Sequence, residues 1–105
     1  MTTPIHQVKA EFFKTLAHPA RIRVLELLRE GEQPVSALIL ETGLEASHLS
    51  QQLGIMRRAN LIQARKAGSS VLYSVSDPQI FDLLEIAKRI IRNSLAETQE
   101  LLEQM

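Results

Sequence analysis

The sequence predicts a mainly α-helical fold (α+β) with a single β-hairpin, its elements in the order α-α-α-α-β-β-α. Three observations lead to this prediction. Apolar residues recur at helical spacing in five segments, most of which begin at a proline or end at a glycine. Residues 61–76 are instead rich in β-branched and aromatic side chains on both sides of Ala67-Gly68-Ser69. The last segment, about residues 78–103, carries an apolar stripe that needs a covering surface.

The composition allows one domain and excludes several kinds of chemistry. In 105 residues, of which 45% are apolar, there is room for one modest core, so we expect residues 1–105 to form a single domain that gains stability from a partner. A polar N-terminus and the lack of a membrane-length apolar run predict a cytoplasmic protein with no membrane partner. The chain has no cysteine, which excludes disulfides, thiolate metal ligands and thiol redox sensing.

The net charge is zero, yet the charges are unevenly distributed along the chain. Residues 93–105 carry only acidic charged side chains. Residues 43–75 contain one acidic and four basic side chains, which are Glu45, Arg57, Arg58, Arg65 and Lys66. This distribution suits a protein that presents its middle segment to DNA phosphates, although ordinary solvated charges would give the same pattern.

Start and stop residues delimit the first two helices. Thr3 predicts the N-cap of a helix over about residues 4–16. His18, followed by Pro19, begins a second helix that ends before Gly31. We therefore expect His18 to serve as a cap and packing residue rather than as a chemically active group.

Two helices joined by a tight turn at Gly43 predict a helix-turn-helix. The second begins near Ala46, and its apolar residues Leu49, Leu53 and Met56 recur every three or four positions. Its opposite side is polar and uncharged, and consists of Ser47, His48, Ser50, Gln51 and Gln52. A merely solvated helix face would be richer in lysine and glutamate, so these residues favour hydrogen bonding in the DNA major groove.

The C-terminal half combines the hairpin with the long terminal helix. We expect strands over residues 61–66 and 70–76, with Gly68 at the tip. Asp77 and Pro78 give the start signal of the terminal helix. Its apolar stripe contains Ile80, Leu84, Ala87, Ile91, Leu95 and Leu102.

The chain resembles the ArsR/SmtB family of winged helix-turn-helix repressors in three segments, LAHPARIRVLELL, SHLSQQLGIMRRANLI and ARKAGSSVLYSV. These segments follow the order and spacing of that family over nearly the whole chain. The resemblance implies a homodimeric repressor whose first and last helices form the interface, and whose two recognition helices enter successive major grooves of a near-palindromic, double-stranded DNA operator. The expected interface residues are Ile5, Val8, Phe12, Leu84, Ala87, Ile91 and Leu95.

The resemblance also assigns base or phosphate contacts to Ser47, His48 and Ser50. The amide of Gln51 has the geometry to bind adenine through two hydrogen bonds. Arg57 ends the same helix, where it would bind phosphate or complement the helix C-terminus. Arg65 and Lys66 lie just before the hairpin tip, where they are placed to contact phosphates or the minor groove. The expected DNA-binding residues are therefore Ser47, His48, Ser50, Gln51, Gln52, Arg57, Arg65, Lys66 and Ser69.

The sequence departs from the family at several positions. Glu45 stands where a small hydroxyl residue usually begins the recognition helix, and its carboxylate would repel a nearby phosphate. Pro34 and Ser36 correspond to the Cys-x-Cys pattern of many metal-responsive members, and neither is a soft metal ligand. A second family metal site also lacks its imidazoles, because no histidine follows His48.

These departures predict a protein without a metal site and without a cofactor. Its histidines, His6, His18 and His48, fall on three separate elements with no ligand spacing between them. Three possibilities for an effector stay open: a small molecule at the dimer interface, a protein partner, or none beyond the concentration of the protein itself.

Two other classes of function compete with DNA binding. An enzyme is not expected, because the sequence has no glycine-rich phosphate loop and no metal cluster. It also lacks a catalytic set of a nucleophile, a general base and a residue that orients the base. A protein-interaction module is the stronger alternative, since the terminal stripe could bind a different protein. Such a module has no need of the polar helix face beside Arg65 and Lys66, so the sequence favours a DNA-binding regulator.

Overall fold

The computed structural model describes residues 2–105, which form five α-helices and a three-stranded antiparallel sheet. The helices are α1 Ile5–Leu16, α2 Pro19–Leu27, α3 Val35–Thr42, α4 Ala46–Arg58 and α5 Gln79–Glu103. The strands are β1 Gln33–Pro34, β2 Ile62–Ala67 and β3 Ser70–Val75. This architecture confirms the predicted helical fold with a hairpin, and most boundaries agree to within one residue.

Side-chain hydrogen bonds cap two of the five helix starts. The Nδ1 atom of His18 accepts a hydrogen bond of 3.1 Å from the backbone N–H of Ala20, which confirms its predicted role as the cap of α2. Before α5, the Asp77 carboxylate accepts a bond of 2.9 Å from the N–H of Gln79. Thr3 was a wrong prediction for α1, because Pro4 occupies the N-cap position and no side chain caps this helix. Gly43 adopts the left-handed conformation that ends α3.

The sheet contains one strand that the sequence did not predict. β2 and β3 form the expected hairpin, paired from Ile62 opposite Val75 to Ala67 opposite Ser70. β1 adds only Gln33 and Pro34 to the far side of β3, which gives the strand order β1-β3-β2. Two residues cannot produce an alternating pattern, and a proline is tolerated because β1 is an edge strand.

One apolar core fixes the helix-turn-helix. It includes side chains from α2, α3 and α4, together with the start of β2 and the start of α5. The largest side chains with under 2% exposure are Val24, Leu25, Leu38, Leu49, Leu53 and Met56. Three of these lie on α4 at the predicted spacing, so the core holds this helix by one side and leaves its other side open.

The two terminal helices contribute little to this core. Leu16 is the buried residue of α1, and Ile80 is the buried residue of α5. Every residue from 86 to 105 is exposed, which leaves about 27 Å of helix between residues 86 and 103 without cover from the rest of the chain. Large apolar side chains on these helices, such as Ile5 at 67% and Leu95 at 65% exposure, therefore face solvent in the isolated chain.

The burial of α3 gives a matched test of the core. Leu38→Ala is expected to lower the free energy of unfolding by about 2–5 kcal/mol, because it leaves a cavity at a position with 1% exposure. Leu40→Ala removes the same atoms two residues away, where the side chain is 81% exposed, and is expected to change stability by less than about 0.5 kcal/mol. Urea unfolding of both variants at one protein concentration measures the difference, and equal losses would contradict the described orientation of α3.

Candidate nucleic-acid interface

The exposed side of α4 presents four polar side chains that can donate or accept hydrogen bonds. Leu49, Leu53 and Met56 turn inward, and the exposed polar residues are Ser47, His48, Ser50 and Gln51. Glu45 occupies the N-cap position but its side chain makes no capping hydrogen bond, so its carboxylate is left at the entrance of the helix. The sequence prediction of a polar, hydrogen-bonding helix face is confirmed for these four residues.

Gln52 does not belong to this exposed face, and its predicted place there is wrong. The residue is 6% exposed, and its Oε1 atom accepts a hydrogen bond of 2.9 Å from the Nε of Arg21. Gln52 lies three residues after Leu49 and four before Met56, so it falls within the inward stripe of the helix despite its polar side chain. The Gln52 amide is therefore buried and hydrogen-bonded within the protein.

Arg21 connects three helices through this contact. While its Nε donates to Gln52 of α4, its Nη1 donates to the backbone carbonyl of Thr15 in the last turn of α1, at 2.9 Å. A cation at that position also complements the carbonyl end of α1. Arg21, itself on α2, thereby fixes the exposed face of α4 relative to α1.

His18 and His48 lie side by side, although they belong to separate elements of the chain. Their ring centroids are 6.4 Å apart with an angle of 80° between the planes. The Nδ1 of His18 caps α2, so this contact brings the starts of α2 and α4 together. Within residues 2–105, no group of three or more His, Asp, Glu or Cys side chains is arranged to hold a metal ion.

Two arginines end α4 in different surroundings. A Cβ atom at Gly54 would lie 3.3 Å from the Nη1 of Arg58, so the guanidinium of Arg58 lies back against this glycine. Both Arg57 and Arg58 are exposed in the last turn, where their charges complement the helix C-terminus. The structure thus keeps both roles available to Arg57, phosphate contact and helix stabilisation.

The hairpin places Lys66 and Ser69 on the surface near its tip, whereas Arg65 is paired within the protein. The Nε and Nη2 atoms of Arg65 donate to the two carboxylate oxygens of Glu32, at 2.8 and 2.9 Å. The hydrogen bonds from Arg65 hold the pKa of the Glu32 carboxyl below its ordinary value, and those to Glu32 raise the pKa of Arg65. No local pattern could reveal this pair, because its members are 33 residues apart.

A short helix, a glycine turn, a second helix with a polar outer face and an adjacent hairpin define a winged helix-turn-helix protein. The sequence model of the bacterial regulatory proteins of the arsR family matches residues 18–64. The HTH-type transcriptional regulator Rv0081 of Mycobacterium tuberculosis is 48% identical over 103 residues, or 97% of this chain and 90% of the relative. The chain belongs to the ArsR family, and it is a transcriptional regulator of the winged helix-turn-helix class.

Solved structures agree with this assignment. The crystal structure of Rv0081 superimposes with a TM-score of 0.83 over 91% of this chain and 97% of that one. The homodimeric winged helix-turn-helix DNA-binding domain Mb0332 of Mycobacterium bovis has 27% identity and a TM-score of 0.76, covering 89% of this chain and 85% of its own. The transcriptional repressor BigR of Xylella fastidiosa has 29% identity and a TM-score of 0.75, covering 81% and 87%. Rv0081 is a transcriptional regulator, and BigR is a transcriptional repressor. No helix within residues 2–105 has the length and apolarity to cross a membrane.

The buried contact between Arg21 and Gln52 can be tested by substitution. Gln52→Leu is expected to lower the free energy of unfolding by about 1–3 kcal/mol, because the half-buried guanidinium of Arg21 loses its acceptor. Gln51→Leu, the same change at the exposed neighbour, is expected to stay within about 0.5 kcal/mol of the unmodified chain. Chemical denaturation at fixed protein concentration compares the two, and a larger loss for Gln51→Leu would contradict the described rotation of α4.

Proposed function

We propose that this regulator is a homodimeric repressor that binds a near-palindromic DNA operator in a sequence-specific manner. The observation that carries the proposal is the outer face of α4, which is uncharged, rich in hydrogen-bonding groups and backed by a rigid core. A helix of this width fits the major groove, where each base pair presents its own pattern of donors and acceptors. Because DNA is its ligand, we also propose a cytoplasmic location.

Base reading is assigned to the exposed residues of α4. The amide of Gln51 can form two hydrogen bonds with the N6 and N7 atoms of adenine. The hydroxyls of Ser47 and Ser50 can contact bases or phosphates. His48 presents its imidazole on the same exposed face, with its ring centroid 6.4 Å from that of His18. Gln52 is excluded from this set, since its amide is buried against Arg21.

Contacts to the DNA backbone are assigned to the end of α4 and to the hairpin. Arg57, Lys66 and Ser69 are exposed and free to approach phosphates on either side of the groove. Arg65 is also predicted to contact phosphate, but it must first leave Glu32. These contacts would fix the register of the helix on the duplex without contributing to sequence choice.

Homodimerisation is assigned to the exposed apolar faces of α1 and α5. Ile5, Val8 and Phe12 of α1 are between 40% and 67% exposed, and Ile91 and Leu95 of α5 are at least 59% exposed. Apolar surface of this extent is rare on a monomer and marks an interface. Ala87 is exposed on the same helix, whereas Leu84 is half-buried against the core of its own chain. The relative Mb0332 is homodimeric, which supports a homodimer for this chain.

The regulatory signal is proposed to be a non-metal effector or the concentration of the protein itself. Pro34 and Ser36 supply no metal ligand on α3 or beside it, and α5 has no imidazole. A small molecule or a partner protein at the dimer interface would act by favouring one arrangement of the two α4 helices.

Selection of bound sequences from random duplex DNA, repeated at two salt concentrations, tests this proposal. An enriched near-palindrome with half-sites about 10 base pairs apart is expected from a dimer with two-fold symmetry. Salt-sensitive binding without an enriched sequence, or no binding, would instead favour a module that uses α5 to bind another protein.

Substitutions separate base reading from phosphate binding. Gln51→Ala is expected to weaken operator binding by about 1–3 kcal/mol and to reduce discrimination against random DNA. Lys66→Ala is expected to weaken binding to all sequences alike and to reduce the slope of log K against log salt concentration by about 1. Titrations of both variants with operator and random duplexes measure these effects. Equal losses on the two duplexes for Gln51→Ala would exclude it as a base-reading residue.

A second pair of substitutions tests the dimer. Ile91→Glu is expected to shift the protein from dimer to monomer, because it places an unpaired charge in the interface. Ala96→Glu introduces the same group roughly 140° around α5, on the opposite side, and is expected to leave the dimer intact. Light scattering over a concentration series measures the mass of each variant, and an unchanged mass for Ile91→Glu would refute the assigned interface.

A further inference from the structure

The ion pair between Arg65 and Glu32 joins the hairpin to the segment before β1. β3 lies between β2 and β1, so the side chain of Arg65 reaches across β3 to meet the carboxylate. Both oxygens of Glu32 are engaged, at 2.8 and 2.9 Å, and the two side chains are 60% and 36% exposed. Arg65 is one of the residues predicted to contact DNA phosphates, but its guanidinium is already paired with the carboxylate of Glu32.

A carboxylate and a phosphate bind a guanidinium in the same way. Each offers two oxygens to the paired N–H groups of arginine, so one can replace the other at the same atoms. An exposed ion pair of this kind is weak, because solvent and salt screen it, and a DNA phosphate can displace the carboxylate. After displacement the negative charge of Glu32 stays close to the phosphate that replaced it.

We propose that Glu32 is a built-in competitor of DNA phosphate that lowers the affinity of the regulator for DNA by occupying Arg65. The inference rests on the proposed DNA-binding function and adds to it a residue that determines affinity. Residues 43–75 contain only four basic side chains, so the neutralisation of one removes a large share of the attraction to DNA that does not depend on sequence. The regulator would then spend less time on bulk DNA and depend more on its base contacts.

Glu32→Gln is the direct test, performed with the full chain on the selected operator and on a random duplex at several salt concentrations. The variant is expected to bind both duplexes about threefold more tightly at low salt, and the slope of log K against log salt concentration is expected to steepen by about 0.9, since one more phosphate is neutralised. Because Glu32 is exposed, the unfolding midpoint of the Glu32→Gln variant should match that of the unmodified chain.

Glu26→Gln is the matched control. Glu26 belongs to another exposed pair, with Arg23 at 3.9 Å on α2, so this variant removes the same charge without freeing Arg65. It is expected to leave both the affinity and the salt slope unchanged. An equal gain in affinity from Glu26→Gln would overturn the proposal, because net charge alone would then explain the effect.

A double-mutant cycle with Arg65→Gln tests whether Glu32 acts through Arg65. In the Arg65→Gln background, Glu32→Gln is expected to have no effect on DNA binding. A persistent gain in that background would overturn the competition, and unchanged or weaker binding by Glu32→Gln alone would identify the pair as a structural brace of the sheet. If the unmodified chain binds neither duplex, the proposed function itself fails, which is a result distinct from these.

Discussion

The structure depends on the burial of one side of α4 against the core. Leu49, Leu53 and Met56 have at most 1% exposure, and they hold the helix so that its opposite side is directed away from the protein. A helix fixed in this way loses little conformational freedom when it binds a ligand, because its position is already determined. The reading of DNA proposed for this protein requires such preorganisation, since hydrogen bonds to base edges tolerate only small displacements.

The polar contacts around α4 also hold this helix in position. Arg21 connects the end of α1 with Gln52, and His18 both caps α2 and packs against His48. Within the described residues, every buried side-chain nitrogen or oxygen has a hydrogen-bond partner. Arg21 therefore joins the last turn of α1, the helix proposed for the dimer interface, to α4 through two hydrogen bonds.

What the sequence could predict follows from the range of the interactions involved. The helices, the hairpin and the polar face of α4 come from spacing and caps within a few residues, so each could be predicted from the sequence alone. The buried position of Gln52 could not be predicted from the sequence, because polar side chains are mostly exposed and its partner Arg21 is 31 residues away on α2. Three other features also depend on contacts between distant parts of the chain, so no local pattern predicts them. They are the Arg65–Glu32 ion pair, the contact between His18 and His48, and the pairing of β1 with β3.

The exposed apolar faces and the small polar face are also connected energetically. One protomer offers four polar side chains on α4 and a few cations, and Glu32 reduces the cations that are free. In the proposed complex, such a surface would bind a single half-site weakly, because sequence-independent attraction to phosphate is limited in a chain with no net charge. In the proposed dimer, in which α1 and α5 join two protomers, the second half-site would be bound as an intramolecular step at high effective concentration. The affinity of the proposed dimer would then depend on two correct half-sites at the correct spacing, so weak binding by each protomer would be a source of specificity.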